Sequence, residues 1–180
     1  GKSSIVTRLT RDTFNPDSPS TIGAAFVSKS VQVGDTQMKL QIWDTGGSER
    51  YRAMTPMYFQ NADAAIIVYD ITSSESFKDV DLWLKDLRDK GPPSIIIALA
   101  GNKCDLPNRD VPTDKARDHA AKNQIQLFEE TSALNGRNIL ELFTKVAELI
   151  LNGPPKDVPN SVKVQPNQEN EQKSSSKCCK

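Results

Sequence analysis

The chain has 180 residues, with 23 basic and 23 acidic side chains and a formal net charge of zero. That length suggests one domain, and the charge balance excludes general nucleic-acid binding, which needs a basic surplus to offset phosphates. Cysteines occur only at 104, 178 and 179, without a CxxC pair, which argues against structural zinc and a disulfide framework and favours a reducing compartment.

No apolar run approaches the roughly 20 residues that span a bilayer, and no signal-peptide pattern is present. The chain opens at Gly1 rather than Met, which reads as a fragment of a longer product. Residues 1–9 read as the first turns of a helix. Residues 26–34 and 36–44 alternate in polarity around Gly34-Asp35, a hairpin signal. Residues 64–69 and 95–100 are short continuous apolar runs, as expected of parallel strands buried on both faces. Between them Phe77, Val80, Trp83, Leu84 and Leu87 follow helical spacing. A further helix is expected over residues 112–123, a short strand over 125–128, and a last helix carrying Ile139, Leu142, Phe143, Val146 and Ile150. Alternating β and α segments imply an α/β, doubly wound, mostly parallel sheet with one antiparallel hairpin. Composition changes near Asn152. From Gly153-Pro154-Pro155 the chain is rich in Pro, Asn, Gln, Ser and Lys and too poor in apolar residues to repay its ordering entropy. The expected division is a globular domain over 1–152 and a flexible tail over 153–180.

Ligands of such folds sit outside the carboxyl ends of the strands, where the chemical motifs fall. Gly1-Lys2-Ser3-Ser4 matches the tail of a GxxxxGK[ST] loop, in which backbone N–H groups wrap phosphates, Lys reaches the β/γ oxygens and Ser holds Mg²⁺. Alone the tetrapeptide carries little information. Asp44-Thr45-Gly46-Gly47 closes the strand Leu40-Gln41-Ile42-Trp43. Its carboxylate suits Mg²⁺ and its glycine N–H suits a γ-phosphate, since no side chain intervenes. Taken alone it reads equally well as a strand-ending turn. Asn102-Lys103-Cys104-Asp105 is more specific. Asp105 can accept hydrogen bonds from the ring N–H and exocyclic amine of guanine, a pattern that adenine lacks, and such sites discriminate by ~10⁴ or more. The Lys103 stem can lie along the base, while Asn102 can tie neighbouring loops together. Glu130-Thr131-Ser132-Ala133 follows the next strand, where small residues let a backbone N–H reach guanine O6.

In this order, Gly-Lys-Ser, Thr21, Asp-Thr-x-Gly, Asn-Lys-x-Asp and Thr-Ser-Ala resemble the Ras-like GTPases, P-loop NTPases with a Ras-like G domain, over residues 1 to 151. Within that superfamily Thr21-Ile22-Gly23-Ala24-Ala25-Phe26, residues 39–47, Arg50-Tyr51-Arg52-Ala53-Met54 and residues 65–72 resemble the Rab family, with the Ile-Gly-Ala-Ala-Phe segment nearest its endosomal branch. The resemblance implies a GTP/GDP switch of vesicle traffic with Mg²⁺ as cofactor. It implies that Gly1, Lys2, Ser3 and Ser4 surround the phosphates, that Ser3 and Thr21 bind Mg²⁺ with Asp44 supporting it through water, and that Gly47 donates to the γ-phosphate. It places Phe14, Asn102, Lys103, Asp105, Ser132, Ala133 and Leu134 around the guanine. Residues 15–25 and 46–60 become the two switch segments. Phe26, Trp43 and Tyr58 match an aromatic triad that Rabs present to effectors; ordinary core packing is the other reading of these rings. The implied partners are an exchange factor, a GTPase-activating protein, a GDP-dissociation inhibitor, a Rab escort protein and effectors, acting on a monomer with no nucleic-acid role.

Three departures carry consequences. The family pattern Asp-Thr-Ala-Gly-Gln becomes Asp44-Thr45-Gly46-Gly47-Ser48. The missing glutamine orients the attacking water in Ras-like proteins, and a serine, shorter by two heavy atoms, reaches that water poorly. Among the catalytic candidates Lys2, Thr21 and Ser48, the last therefore implies slow intrinsic hydrolysis, or in the alternative a GTP-locked module that recruits effectors without useful turnover. Leu134 replaces the usual lysine, which implies at most a modest loss of base affinity. The first glycine of the phosphate loop and the strand before it are absent, so neighbouring strands are expected to lack backbone partners. The tail ends Lys177-Cys178-Cys179-Lys180, which resembles the double-cysteine endings that Rabs use for geranylgeranylation, so Cys178 and Cys179 are lipidation candidates. With five lysines against three acids from 153 onward, the tail is no strong polybasic signal. The implied location is the cytoplasmic face of endomembranes, endosomal by the finer resemblance, with a cytosolic pool.

Overall fold

The computed structural model describes residues 1–47 and 56–153. Helix α1 (Lys2–Arg11) forms because Ile5 and Leu9, one turn apart, bury on the same side. It stops at Asp12, whose left-handed φ of 54° turns its N–H back onto the Arg8 carbonyl. Strands β1 (Ala24–Val33) and β2 (Thr36–Thr45) form an antiparallel hairpin closed by Gly34-Asp35, with Val33 opposite Thr36 and Gly34 at φ 55°. Its tip is fastened where Val31 and Val33 bury against Ala147. A four-residue helix, α2 (Pro56–Phe59), precedes β3 (Ala64–Asp70). Helix α3 (Ser74–Lys90) begins at Ser73, whose hydroxyl accepts the Ser76 N–H at 3.2 Å. Strand β4 (Ile96–Asn102), helix α4 (Thr113–Lys122), strand β5 (Leu127–Glu130) and helix α5 (Ile139–Leu151) complete the order.

Strand β5 starts two residues later than the sequence suggests. Ile125 is spent closing α4: its N–H bonds the Ala120 carbonyl, after a left-handed Gln124 at φ 49°. Pairing with β4 then begins at Leu127, opposite Ala98.

Strand periodicity divides the core. On β4, Ile97 and Leu99 face a cluster with Tyr69, Phe77, Val80, Leu84 and Ala116 from the α3 and α4 side. Ala98 and Ala100 face the other way, against Ile5, Leu9, Leu142, Phe143 and Val146 of α1 and α5. Helices thus cover both faces, as a doubly wound sheet requires. The strand order is β1-β2 in one sheet and β3-β4-β5, parallel, in another. Among the described residues no ladder joins them. Between β2 and β3 lies a cleft of about 750 Å³, lined by residues 38–45 and 64–68 and floored by Phe143, Val146 and Ile150.

One position at the end of β4 is sterically committed. A Cβ at Gly101 would lie 2.6 Å from Tyr69 Oη and 2.9 Å from its Cζ, and Tyr69 is buried under Phe77. We expect Gly101→Ala to cost about 1–3 kcal/mol in urea unfolding, and to cost less in a Tyr69→Phe background. An equal cost in both backgrounds would show that the hydroxyl is not the obstacle.

Candidate functional site

The N-terminus of α1, the ends of β2, β3 and β4, and the loop after β5 converge on one edge of the molecule. The first turn of α1 carries orphaned backbone N–H groups and no acidic side chain, an arrangement that attracts anions. Gly1, Lys2, Ser3 and Ser4 lie there. Gly47 lies beside Lys2: a Cβ on it would sit 2.8 Å from Lys2 Nζ, so glycine leaves room for the ammonium. Burial holds that ammonium below the ordinary lysine range, with the Asp44 carboxylate pulling the other way.

Next to it the Ser3 and Thr21 hydroxyls are 2.5 Å apart, and Thr21 Oγ1 reaches Asp44 Oδ2 at 3.5 Å. Asp44 is 7% exposed, and its Oδ1 has no hydrogen-bond partner among the described residues. A buried carboxylate oxygen without a donor is costly. Two hydroxyls and a carboxylate form a hard-oxygen set, so these residues fit Mg²⁺ with part of its water shell retained. The segments bearing Thr21 and Asp44 are tied together by the Gly46 N–H donating to the Gly23 carbonyl at 2.7 Å.

The second half of the site is built on Asn102, which is 3% exposed at the end of β4. Its Oδ1 accepts the Ala133 N–H at 3.2 Å and the Thr131 hydroxyl at 3.3 Å. Its Nδ2 faces Gly1, where a Cβ would approach to 2.7 Å. The amide thus joins loops, as the sequence suggests. Ser132 and Ala133 are buried in the following turn, Asp105 is half-buried, and Leu134 is 51% exposed. Phe14 packs at the margin of the α1 and α5 cluster. A cavity of about 160 Å³ lies between Gly1, Lys2, Asp70, Asn102 and Lys103.

Lys103 differs from the simple expectation. It adopts a left-handed φ of 67°, and its Nζ is 2.6 Å from Asp70 Oδ2. Asp70 also accepts the Thr72 N–H at 2.9 Å and its hydroxyl at 2.7 Å. Burial raises the Asp70 pKa, but these hydrogen bonds outweigh it and hold the carboxyl below its usual value. Asp70 was not marked by sequence, although its place at the carboxyl end of an apolar strand was a signal. Arg8 was also unmarked. Its guanidinium bonds the carbonyls of Ala133 at 2.9 Å and Leu134 at 2.6 Å.

Phe26 and Trp43 pack as a tilted pair at 5.1 Å and Trp43 and Tyr58 as another at 5.3 Å between ring centroids. Phe26 is 51% and Trp43 52% exposed while Tyr58 is half-buried, so two of the three rings lie at the surface. Ser48, Cys178 and Cys179 lie outside the described residues.

A Ras family model matches residues 1–152. The chain is 50% identical over 151 residues to the human Ras-related protein Rab-22A, covering 83% of this chain and 77% of that protein. It is 47% identical over 151 residues to the putative ras-related protein Rab-5B of Dictyostelium discoideum, covering 84% and 70%. Against Ras-related protein Rab-5A of the same organism it is 48% identical over 155 residues, covering 86% and 77%. On this likeness the chain belongs to the Ras family of GTPases, within its Rab branch.

Proposed function

We propose that this chain is a GTP-binding switch of intracellular vesicle traffic whose hydrolytic step is slow. The observation that carries the nucleotide reading is the buried Asp44 oxygen that has no donor among the described residues, set beside the Ser3 and Thr21 hydroxyls and the Lys2 ammonium at a helix N-terminus. In this reading the N–H groups of residues 1–4 and the Lys2 ammonium hold the β- and γ-phosphates. Ser3, Thr21 and Asp44 hold Mg²⁺, directly or through water, which when bound offsets the charge on the phosphates. Asp105 reads guanine, the Ser132-Ala133-Leu134 turn supplies backbone N–H groups to its 6-oxo edge, and Phe14 lies against the ring. Hydrolysis joins water to the γ-phosphorus and breaks its bond to the bridging oxygen, releasing GDP and phosphate. Competition of GTP and ATP for the full-length protein, with and without Mg²⁺, tests this. We expect preference for GTP by on the order of 10⁴ or more and marked weakening without Mg²⁺; equal competition by ATP would sink the guanine reading.

Ser48 supports the slow step, because positioning supplies much of phosphoryl-transfer catalysis and serine lacks the reach of glutamine. It also keeps a second reading in view, a GTP-locked module that recruits effectors. Single-turnover hydrolysis by the full-length protein beside Ser48→Gln separates them. We expect slow but measurable turnover in the parent and a gain of about tenfold or more in the variant. Equal rates would remove Ser48 as the cause, and undetectable turnover in the parent favours the locked module.

The triad of exposed Phe26 and Trp43 with half-buried Tyr58 is then the effector face, and residues 15–25 and 46–60 the switch segments. Geranylgeranyl groups on Cys178 and Cys179 would attach the protein to cytoplasmic membrane faces, endosomal ones on the likeness to its relatives, with a cytosolic pool managed by a GDP-dissociation inhibitor and an escort protein. Exchange factors and GTPase-activating proteins would set its nucleotide state.

The Asp70 to Lys103 ion pair steadies the guanine loop. Asp70→Asn should speed nucleotide release and lower stability at pH 7 by up to about 1 kcal/mol. Because the folded-state pKa of Asp70 is depressed, its contribution is present above its unfolded value and is lost as pH falls through the folded value. The stability gap between parent and variant should therefore close below about pH 4. A gap constant across that range, measured by urea unfolding, would exclude the carboxylate as its source.

A further inference from the structure

Arg8 stands in the third turn of α1, and only 16% of its side chain is exposed. Its guanidinium makes four hydrogen bonds. Nε donates to the Ala133 carbonyl at 2.9 Å and Nη2 to the Leu134 carbonyl at 2.6 Å. Nη1 donates to the Asp12 carbonyl at 2.8 Å and to Asp12 Oδ1 at 3.0 Å. The left-handed cap at Asp12 places both of those acceptors over the arginine. One edge of the fork is therefore held by its own helix, while the other grips the loop after β5.

That grip fixes consecutive peptide planes. The Ala133 residue is held at its N–H by Asn102 and at its carbonyl by Arg8. The Leu134 carbonyl is held by Arg8, and the N–H of the same peptide, on Asn135, donates to Ser132 Oγ at 3.2 Å. In a trans peptide the N–H points opposite to its carbonyl. Pulling the Ala133 carbonyl toward α1 therefore turns the Leu134 N–H away from the helix. A positive charge on the carbonyl also polarises that peptide and strengthens the N–H as a donor.

The same helix carries Lys2 and Ser3 at its other end, about 9 Å away at 1.5 Å per residue. We infer that Arg8 is a positioning residue for base recognition: it fixes the loop of Ala133 and Leu134 to α1, setting that loop's donors at a fixed distance and direction from the phosphate-binding end of the helix. This rests on the nucleotide reading above, and it adds a residue that touches neither base nor phosphate. Arginine suits the task because its planar fork serves two carbonyls and a cap at once, whereas lysine offers a single point of contact.

The test compares the full-length protein with Arg8→Gln and Arg8→Lys, using GDP and the diphosphate of 2-aminopurine riboside, which lacks the 6-oxo group and with it the ring N–H; the missing N–H weakens the analogue alike in parent and variants, so the change in the ratio reads the 6-oxo contact. We expect Arg8→Gln to weaken GDP about tenfold while leaving the 6-deoxo nucleotide nearly unchanged, so that the ratio between them falls about tenfold. Arg8→Lys should recover part of the ratio, and the Mg²⁺ dependence should not move. Equal weakening of both nucleotides would reduce Arg8 to a stability residue and overturn the inference, as would no change in either. Amide hydrogen exchange over residues 133–136 without nucleotide supplies an independent arm. It should rise about tenfold in Arg8→Gln, and unchanged exchange overturns the inference. Failure of the parent to bind GDP would count against the nucleotide reading, while the exchange arm would still decide whether Arg8 orders the loop of Ala133 and Leu134.

Discussion

The side chain of Asn102 is an amide placed where almost no water reaches it, at the end of the strand that both helical layers share. Its oxygen must find donors, and finds them on Thr131 and Ala133; its nitrogen faces Gly1. The end of β4 and the turn after β5 are held in register by one buried group whose oxygen is too costly to leave unsatisfied, and the start of α1 packs against its other side. The anion-attracting turn of α1, the turn after β5 and the loop carrying Lys103 and Asp105 take their relative positions from this joint. Arg109 reinforces the loop farther out, with two bonds to the Glu130 carboxylate at 2.6 and 2.9 Å.

Much of this was legible because local patterns encode it. The runs over β3 and β4 are continuous because both faces are covered, and the spacing on α3 and α5 marks the faces that bury. The start of β5 was misplaced because Ile125 looks like a strand residue but closes a helix. The four residues of α2 are too short for any period to show. In the site, Ser3, Thr21 and Asp44 were nameable as Mg²⁺ candidates, and the fold brings their oxygens together. Arg8 and Asp70 were not nameable. Each acts on a loop far along the chain, and an arginine in the last turn of a helix reads as an ordinary companion of the helix dipole. Lys103 shows the same limit in reverse: its motif was plain, but the carboxylate that holds its ammonium lies on another strand.

Among the described residues the hairpin meets the body along its length, through Val31 and Val33 against Ala147 at its tip and through Leu40 and Ile42 against the α1 and α5 cluster.

The bond from Gly46 to Gly23 is one rung past the last regular pair, Ala24 with Thr45. The hairpin is therefore a zipper whose open end lies at the candidate phosphate site. If that rung parts, fraying proceeds inward through Ala24 with Thr45, Ala25 with Asp44 and then Phe26 with Trp43. A candidate cation ligand, Asp44, and an exposed aromatic pair sit on successive teeth. Occupancy of the proposed metal site and the shape of the aromatic surface would then be two readings of one variable, the number of teeth engaged.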